Sequence, residues 1–298
     1  MESAVLSTLA RALAFGTPLL WASLGEILAE RSGVVNLGVE GVMALGALAG
    51  FAVAHVTGNP WLGLAAASLA GAAGGAIHAL VTVVLRANQY VSGLALSMFG
   101  VGLAGLLGNP LAGTVLEHPL QDVSIPGLSA LLGAQSPMTY LGVLAALILW
   151  FVLYRTRAGL VVRSCGENPA AVDVAGSSVT LTRFACVVIG GLLAGAAGGF
   201  LSIAYRPSWT DNMTGGLGWI AVAIAIFAVW NPLGGLLGAF LFGGLYHLSF
   251  RLQASLPPEL LAAMPYLFVI VVLVFSALRT KRSTVPEALG LAYHRGER

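Results

Sequence analysis

The sequence predicts an all-α fold, a polytopic transmembrane bundle of about nine helices, and three observations lead there. Hydrophobic residues make up 58% of the 298 positions and charged residues only 9%, where soluble domains carry about 25% charged. The mean hydropathy of +0.90 leaves too little polar side chain to cover a water-soluble globule of this size. Apolar stretches close to the roughly 20 residues that a helix needs to cross a bilayer recur along the chain. The 39 glycines concentrate within those stretches, the composition that lets membrane helices pack backbone to backbone.

Marked off by charges, prolines and Asn-Pro pairs, the expected spans are 12–28, 34–56, 61–85, 90–111, 138–154, 181–205, 216–230, 232–250 and 260–278. The seventh and eighth are short and separated only by Asn231, so counts of eight or ten also fit. Basic residues flanking spans stay predominantly in the cytoplasm. With the N-terminus outside, eleven of the 14 Lys and Arg residues fall inside, and only Arg11, Arg206 and Arg251 fall outside. The C-terminus is then cytoplasmic. Residues 1–298 read as one membrane domain with an extracytoplasmic loop at 112–137, a cytoplasmic loop at 155–180 and a cytoplasmic tail at 279–298. The first residues lack the basic region and small-residue cleavage site of a signal peptide, so residue 1 is expected to start the mature chain.

Composition and missing motifs exclude several classes. Disorder, collagen-like repetition and a disulfide-stapled secreted fold do not fit. A balance of 14 basic against 12 acidic residues offers no basic surface for nucleic acid. Cys165 lies in a charged loop and Cys186 in an apolar run, so they make neither a disulfide nor a metal pair. The single lysine, Lys281, has no GxxxxGK context, so the chain has no P-loop for ATP, and neither H-E-x-x-H nor G-x-S-x-G occurs. His55, His78, His118, His247 and His294 are scattered without ligand spacing, and no metal or other cofactor is expected. LAGAAGG occurs at 69–75 and 193–199 and NPLxG at 109–113 and 231–235, which is either the trace of an inverted repeat or coincidence in an Ala- and Gly-rich chain.

The loop RTRAGLVVRSCGENPAAVDVAG, 155–176, carries the strongest local signal. Asn168 suits an N-cap, Pro169 the first helical position and Gly176 the position past the end, so a helix of about two turns is expected over 169–175. Glu167 lies by the positive end of its dipole, and Val172 and Val174 add apolar area. Such a helix either docks into a partner or lies as a connector at the headgroups. In ERSGVVNLGVEGVMALGA, 30–47, Asn36 and Glu40 stand in an otherwise apolar crossing among Gly33, Gly38 and Gly41. Polar residues within a span are costly and are functional candidates by default. The glycines favour a discontinuous helix lining a solute route, and the competing reading pairs Glu40 with an arginine at the interface. Tyr90, Phe99 and Trp219, with Trp21 and Tyr266, could stack a heterocyclic solute, although packing and interfacial belts use the same residues.

The stretches GEILAERSGVVNLGVEGVMALGALAG at 25–50, RSCGENPAAVDVAG at 163–176, GWIAVAIAIFAVWNPLGGLLGAFLFGG at 218–244 and PEALGLAYHRGER at 286–298 resemble the permease subunits of bacterial ABC importers for nucleosides. The resemblance runs from about Gly25 to the C-terminus, within a broader group that includes sugar and branched-chain amino acid permeases. It implies a multi-pass protein of the bacterial inner membrane that imports a small-molecule nucleoside and has no ATP site of its own. It also implies a homologous second permease subunit, a cytoplasmic ABC ATPase, an extracytoplasmic solute-binding lipoprotein and a setting of membrane lipid, with no nucleic acid. Glu167, Asn168, Pro169, Ala170, Ala171 and Asp173 correspond to the coupling helix that receives the ATPase. Asn36 and Glu40 correspond to the interrupted helix near the permeation path, with Tyr90, Phe99 and Trp219 as further path candidates. Cys165 and the Ser177–Ser178 pair depart from the family pattern, which is less polar there. The alternatives are a permease for simple sugars or branched-chain amino acids, a gradient-driven transporter coupled through Glu40 and His78, and a structural membrane subunit.

Overall fold

The computed structural model describes residues 2–127, 133–251 and 285–295, with isolated positions between 257 and 274. In chain order its α-helices are α1 (Glu2–Arg31), α2 (Val39–Thr57), α3 (Pro60–Ala79), α4 (Gln89–Gly108), α5 (Pro137–Arg155), α6 (Arg157–Glu167), α7 (Pro169–Val174), α8 (Val179–Phe200), α9 (Leu217–Phe227) and α10 (Pro232–Arg251). Among the described residues extended pairing is confined to the isolated bridges Val115–Ser208 and Val123–Gln135. The starts follow local chemistry. Asn59, Asn88, Ser136, Thr156, Asn168 and Ser178 accept the first free amides of α3 to α8, and Pro60, Pro137 and Pro169 occupy first-turn positions where no donor is missed.

Six of these helices, α1 to α5 and α8, are long and apolar enough to cross a membrane. The expected seventh span, 216–230, is not a complete helical crossing. Its helix α9 has 11 residues, about 16 Å at 1.5 Å per residue, half of a hydrocarbon core of about 30 Å. The polar run Arg206–Gly216 before it is not helical. The eighth, 232–250, coincides with α10, whose stretch Pro232–Leu248 is an apolar helix shorter than those six, and most of the ninth, 260–278, lies outside the described residues.

Small residues set the packing. α3 and α8 run antiparallel, with Gly71 against Gly195, so the two LAGAAGG runs lie on one another. A Cβ on Gly195 would come within 2.7 Å of the Gly71 Cα, so any side chain there forces the helices apart. Both helices also end in a π-helical turn, Leu80–Val84 and Leu201–Tyr205. α10 returns antiparallel along α1, with Gly16 against Ala239 and Gly243 against Ala12. The largest fully buried side chains include Leu19, Leu20, Leu24, Phe51 and Phe200, which puts α1, α2 and α8 at the centre. α4 and α5 present apolar faces outward, including Met98, Leu106 and Phe151.

Arg31, α6, α7, the start of α8 and the segment 285–295 gather at one end of the bundle, the loop end. Tyr205, Arg206 and the first turns of α1 mark the opposite, far end.

Candidate functional site

Two breaks in helical structure meet inside the bundle. The first follows α1, where Gly33 takes a left-handed φ of +96° and Val34–Asn36 run buried in non-helical conformation. The peptide groups freed by this break are satisfied from all sides, as a membrane interior demands. The Val35 amide donates to Gln89 Oε1 (2.7 Å) and its carbonyl meets His78 Nε2 (2.9 Å). The Asn36 amide donates to Glu26 Oε1 (3.1 Å), and Ser97 Oγ donates to the Leu37 carbonyl (2.6 Å). The Asn36 side chain closes the turn by accepting from the Gly38 amide at 3.0 Å. His78, whose other ring nitrogen meets Ser92 Oγ at 3.0 Å, is thereby a structural link.

The second break precedes α9. Glu40, in the first turn of α2 and buried, accepts from the amides of Gly216 (2.9 Å) and Gly218 (2.6 Å). Its carboxylate thus caps a half-helix whose N-terminus lies within the bundle, offsetting the positive end of the helix dipole. Gly218 is required there, since a Cβ would stand 2.6 Å from the Glu40 backbone. Among the described residues Glu40 pairs with no arginine.

The five path candidates are not gathered in one place. Asn36 and Glu40 are both buried, with the Asn36 Oδ1 and both Glu40 carboxylate oxygens engaged on backbone, and Trp219 is half-buried beside Gly218. Phe99 is 60% exposed on the outer face of α4, and Tyr90 stands at the loop end beside Gly290.

Sequence reasoning passed over a knot at the loop end of α1. Glu30 accepts from the Trp230 indole N–H. Arg31 donates through Nε to the Trp230 carbonyl (3.0 Å) and through Nη2 to the Val229 carbonyl (3.3 Å). Val229 and Trp230 have φ of 53° and 51°, a left-handed pair of bulky residues that costs roughly 1–2 kcal/mol each. The last turn of α1 therefore holds the turn between α9 and α10. Arg31 Nη1 also reaches Glu167 Oε1 at 3.7 Å, tying this turn to the loop helices. The signal was present in GEILAER, where Glu26, Glu30 and Arg31 crowd the end of a span.

At the loop end, α7 forms where expected. Asn168 Oδ1 accepts from the Ala171 amide (3.1 Å), Pro169 opens the helix and Gly176 takes φ of +83°. Asn168, Ala170 and Ala171 face outward, as does Val174 at 90% exposure. Val172, read as contact area, instead packs inward with Cys165 and Val179. Burial pushes the Cys165 thiol up, opposed by the nearby Arg183 guanidinium. The preceding α6, 11 residues long, was read only as loop. Segment 285–295 straps these pieces together: the Ala288 amide donates to Gly166, the Gly290 amide to Gly33, and Arg295 pairs with Asp173 at 3.1 Å. Arg183 binds the carbonyls of Ser32, Cys165 and Leu291. Glu167 and Asp173 are thus both ion-paired within the chain.

At the far end a cavity of about 360 Å³ opens above the start of α9. Phe15, Tyr205 and Tyr246 form one wall, and Asp211, Asn212 and Thr214 line the other. A second cavity of about 360 Å³ shares the three aromatic residues and adds Arg11 and His247.

Comparison with known proteins decides the family. The branched-chain amino acid transport system / permease component family matches residues 8–277. The chain belongs to this permease family. TsgC13 of Haloferax volcanii, provisionally named a glucose ABC transporter permease, is 38% identical over 94% of each chain. The guanosine ABC transporter permease NupQ of Bacillus subtilis is 34% identical over 96% of each chain. The nucleoside ABC transporter permease NupC of Lactococcus lactis is 33% identical over 95% of each chain. No solved structure matches the chain. As an ABC permease the protein is a multi-pass subunit of the inner membrane, a transporter component rather than an enzyme, and family membership implies a separate ATPase and a solute-binding protein.

Proposed function

We propose that this permease imports nucleosides, with its N-terminus and far end outside, its loop end in the cytoplasm and nine crossings in all. In this topology α9 with its preceding polar run makes one passage, and the chain of 260–278 makes the last. The observation that carries the reading is mechanical continuity. The exposed helix α7 adjoins Glu167, Glu167 contacts Arg31, and Arg31 grips the left-handed turn at the end of α9, whose other end underlies the far-end cavity. Closure of an ATPase against Asn168, Pro169, Ala170 and Ala171 would shift α7 and, through that chain of contacts, the half-helix beneath the solute. ATP binding to the partner then selects between inward-facing and outward-facing packings, with no covalent chemistry in this chain. The partners are a second, homologous permease, the cytoplasmic ATPase and an extracytoplasmic binding lipoprotein.

Nucleosides are favoured as solute by the likeness to NupQ and NupC, and the likeness to TsgC13 supports glucose as the second reading. The test is ATPase activity that follows the tagged chain from its native membranes in mild detergent, with a panel of solutes. Stimulation by nucleosides is the expected outcome. Stimulation by glucose alone would favour the second reading, and a folded chain that brings no ATPase activity with it would refute the importer.

A further inference from the structure

We propose that the far-end cavity is a solute subsite built within this single subunit, and that it takes a neutral nucleoside. The proposal rests on the importer reading and specifies where and what this chain binds. Its volume, about 360 Å³ with a contiguous chamber of similar size, lies in the range of about 300–1,000 Å³ that small-molecule sites occupy.

The two walls differ in chemistry. One is an aromatic slab. Phe15 stacks on Tyr246 with ring centroids 3.7 Å apart, and Tyr205 meets Phe15 edge-on at 5.7 Å, so three rings from α1, the turn after α8 and α10 hold one another in place. The other wall is polar and comes from the non-helical run before α9, with a carboxylate, an amide and a hydroxyl on Asp211, Asn212 and Thr214. The Thr214 hydroxyl is buried and has no hydrogen-bond partner among the described residues. A buried polar atom left so is costly, and such sites are explained by a partner that arrives from elsewhere. A nucleoside has two matching ends, a flat base for the rings and ribose hydroxyls for the polar wall. A free hexose stacks on such rings only through the C–H faces of its puckered ring, whereas a planar base lies flat over the whole slab.

The cavity floor is closed to phosphate. The N-terminus of a helix ordinarily attracts phosphate, and α9 begins at the cavity floor. Here Glu40 already occupies the amides of Gly216 and Gly218, and Asp211 adds a second carboxylate at the wall. The guanidinium of Arg206, which also lines the cavity, lies over the Tyr205 ring, 5.9 Å from its centroid, and Arg11 lines the adjoining chamber, away from the start of α9. A phosphate at the cavity floor would meet carboxylates where it needs donors.

The test uses Thr210→Cys, an exposed cavity-lining position, in the complete transporter with a membrane-impermeant thiol reagent. Cys165 and Cys186 of this chain are buried, and the transporter without the substitution sets the labelling background. Uridine or inosine at about ten times its half-saturating concentration is expected to slow labelling about tenfold by mass action, whereas uridine monophosphate and glucose leave it unchanged. Adding Thr214→Val should raise the half-protecting uridine concentration about 2- to 10-fold, the worth of one neutral hydrogen bond, and Thr214→Ser should restore it. Protection by glucose but not by nucleosides would overturn the solute class. No protection by any solute, in a transporter that does take up uridine, would overturn the cavity assignment and leave the importer standing. A transporter that takes up no nucleoside would overturn both.

Discussion

Glu40 and Arg31 act on backbone groups far along the chain. Glu40 binds amides 176 and 178 residues away, and Arg31 binds carbonyls 198 and 199 residues away. Neither partner can be read from local sequence, since nothing near Glu40 reveals that two glycine amides will stand opposite. What the sequence does carry is the cost of a carboxylate within a span, which singled out Glu40 as important without giving its role. As a cap, Glu40 must accept two hydrogen bonds at once. Glu40→Gln keeps one acceptor oxygen and sets an amide against the other N–H, leaving a buried donor unpaired at a cost of about 1–3 kcal/mol. The expected outcome is a lower melting temperature of the purified protein in detergent, with Glu40→Asp unable to restore it because the shorter side chain falls short of Gly216 and Gly218. An unchanged melting temperature for Glu40→Gln would contradict the capping role.

At the scale of elements, what was legible was what is locally encoded. The boundaries of α7 follow from Asn168, Pro169 and Gly176, whose capping chemistry needs no tertiary partner. The half-helix α9 was not legible in the same way. Its residues are as apolar as a full span, and only the polar run Arg206–Gly216 marks how short the helix is. The paired runs at 69–75 and 193–199, an open question from sequence alone, lie on antiparallel helices that touch through Gly71 and Gly195 and end in matching π turns, which favours a repeat over coincidence. The cavity draws its rings from three separate elements, so no window of sequence could assemble it. The coupling role of α7 makes its own prediction. Pro169→Gly loosens the helix start, and Glu167→Lys with Asp173→Lys puts like charges against Arg31 and Arg295. These variants are expected to insert and assemble with an ATPase that still hydrolyses ATP, but transport per ATP should fall at least tenfold, equivalent to about 1.4 kcal/mol of lost coupling. Uptake at the normal ratio would remove α7 from the mechanism.

Across the whole molecule the described arginines sort to two ends, with Glu40 and the polar contacts of the two helix breaks between them. The loop end carries Arg31, Arg183, α6, α7 and the returning strap 285–295, and the far end carries the mixed aromatic and polar cavity. Between them stand close-packed small-residue helices, which transmit displacement because their backbones touch. This division suits a machine that is driven at one end and binds solute at the other. The most direct measurement is uridine uptake into proteoliposomes holding the complete transporter, with ATP supplied on the loop-end side and, in parallel, this chain alone under a proton or sodium gradient. The expected result is uptake by the complete transporter only, dependent on ATP hydrolysis and indifferent to the gradients. Gradient-driven uptake by the chain alone, without ATP, would contradict the account.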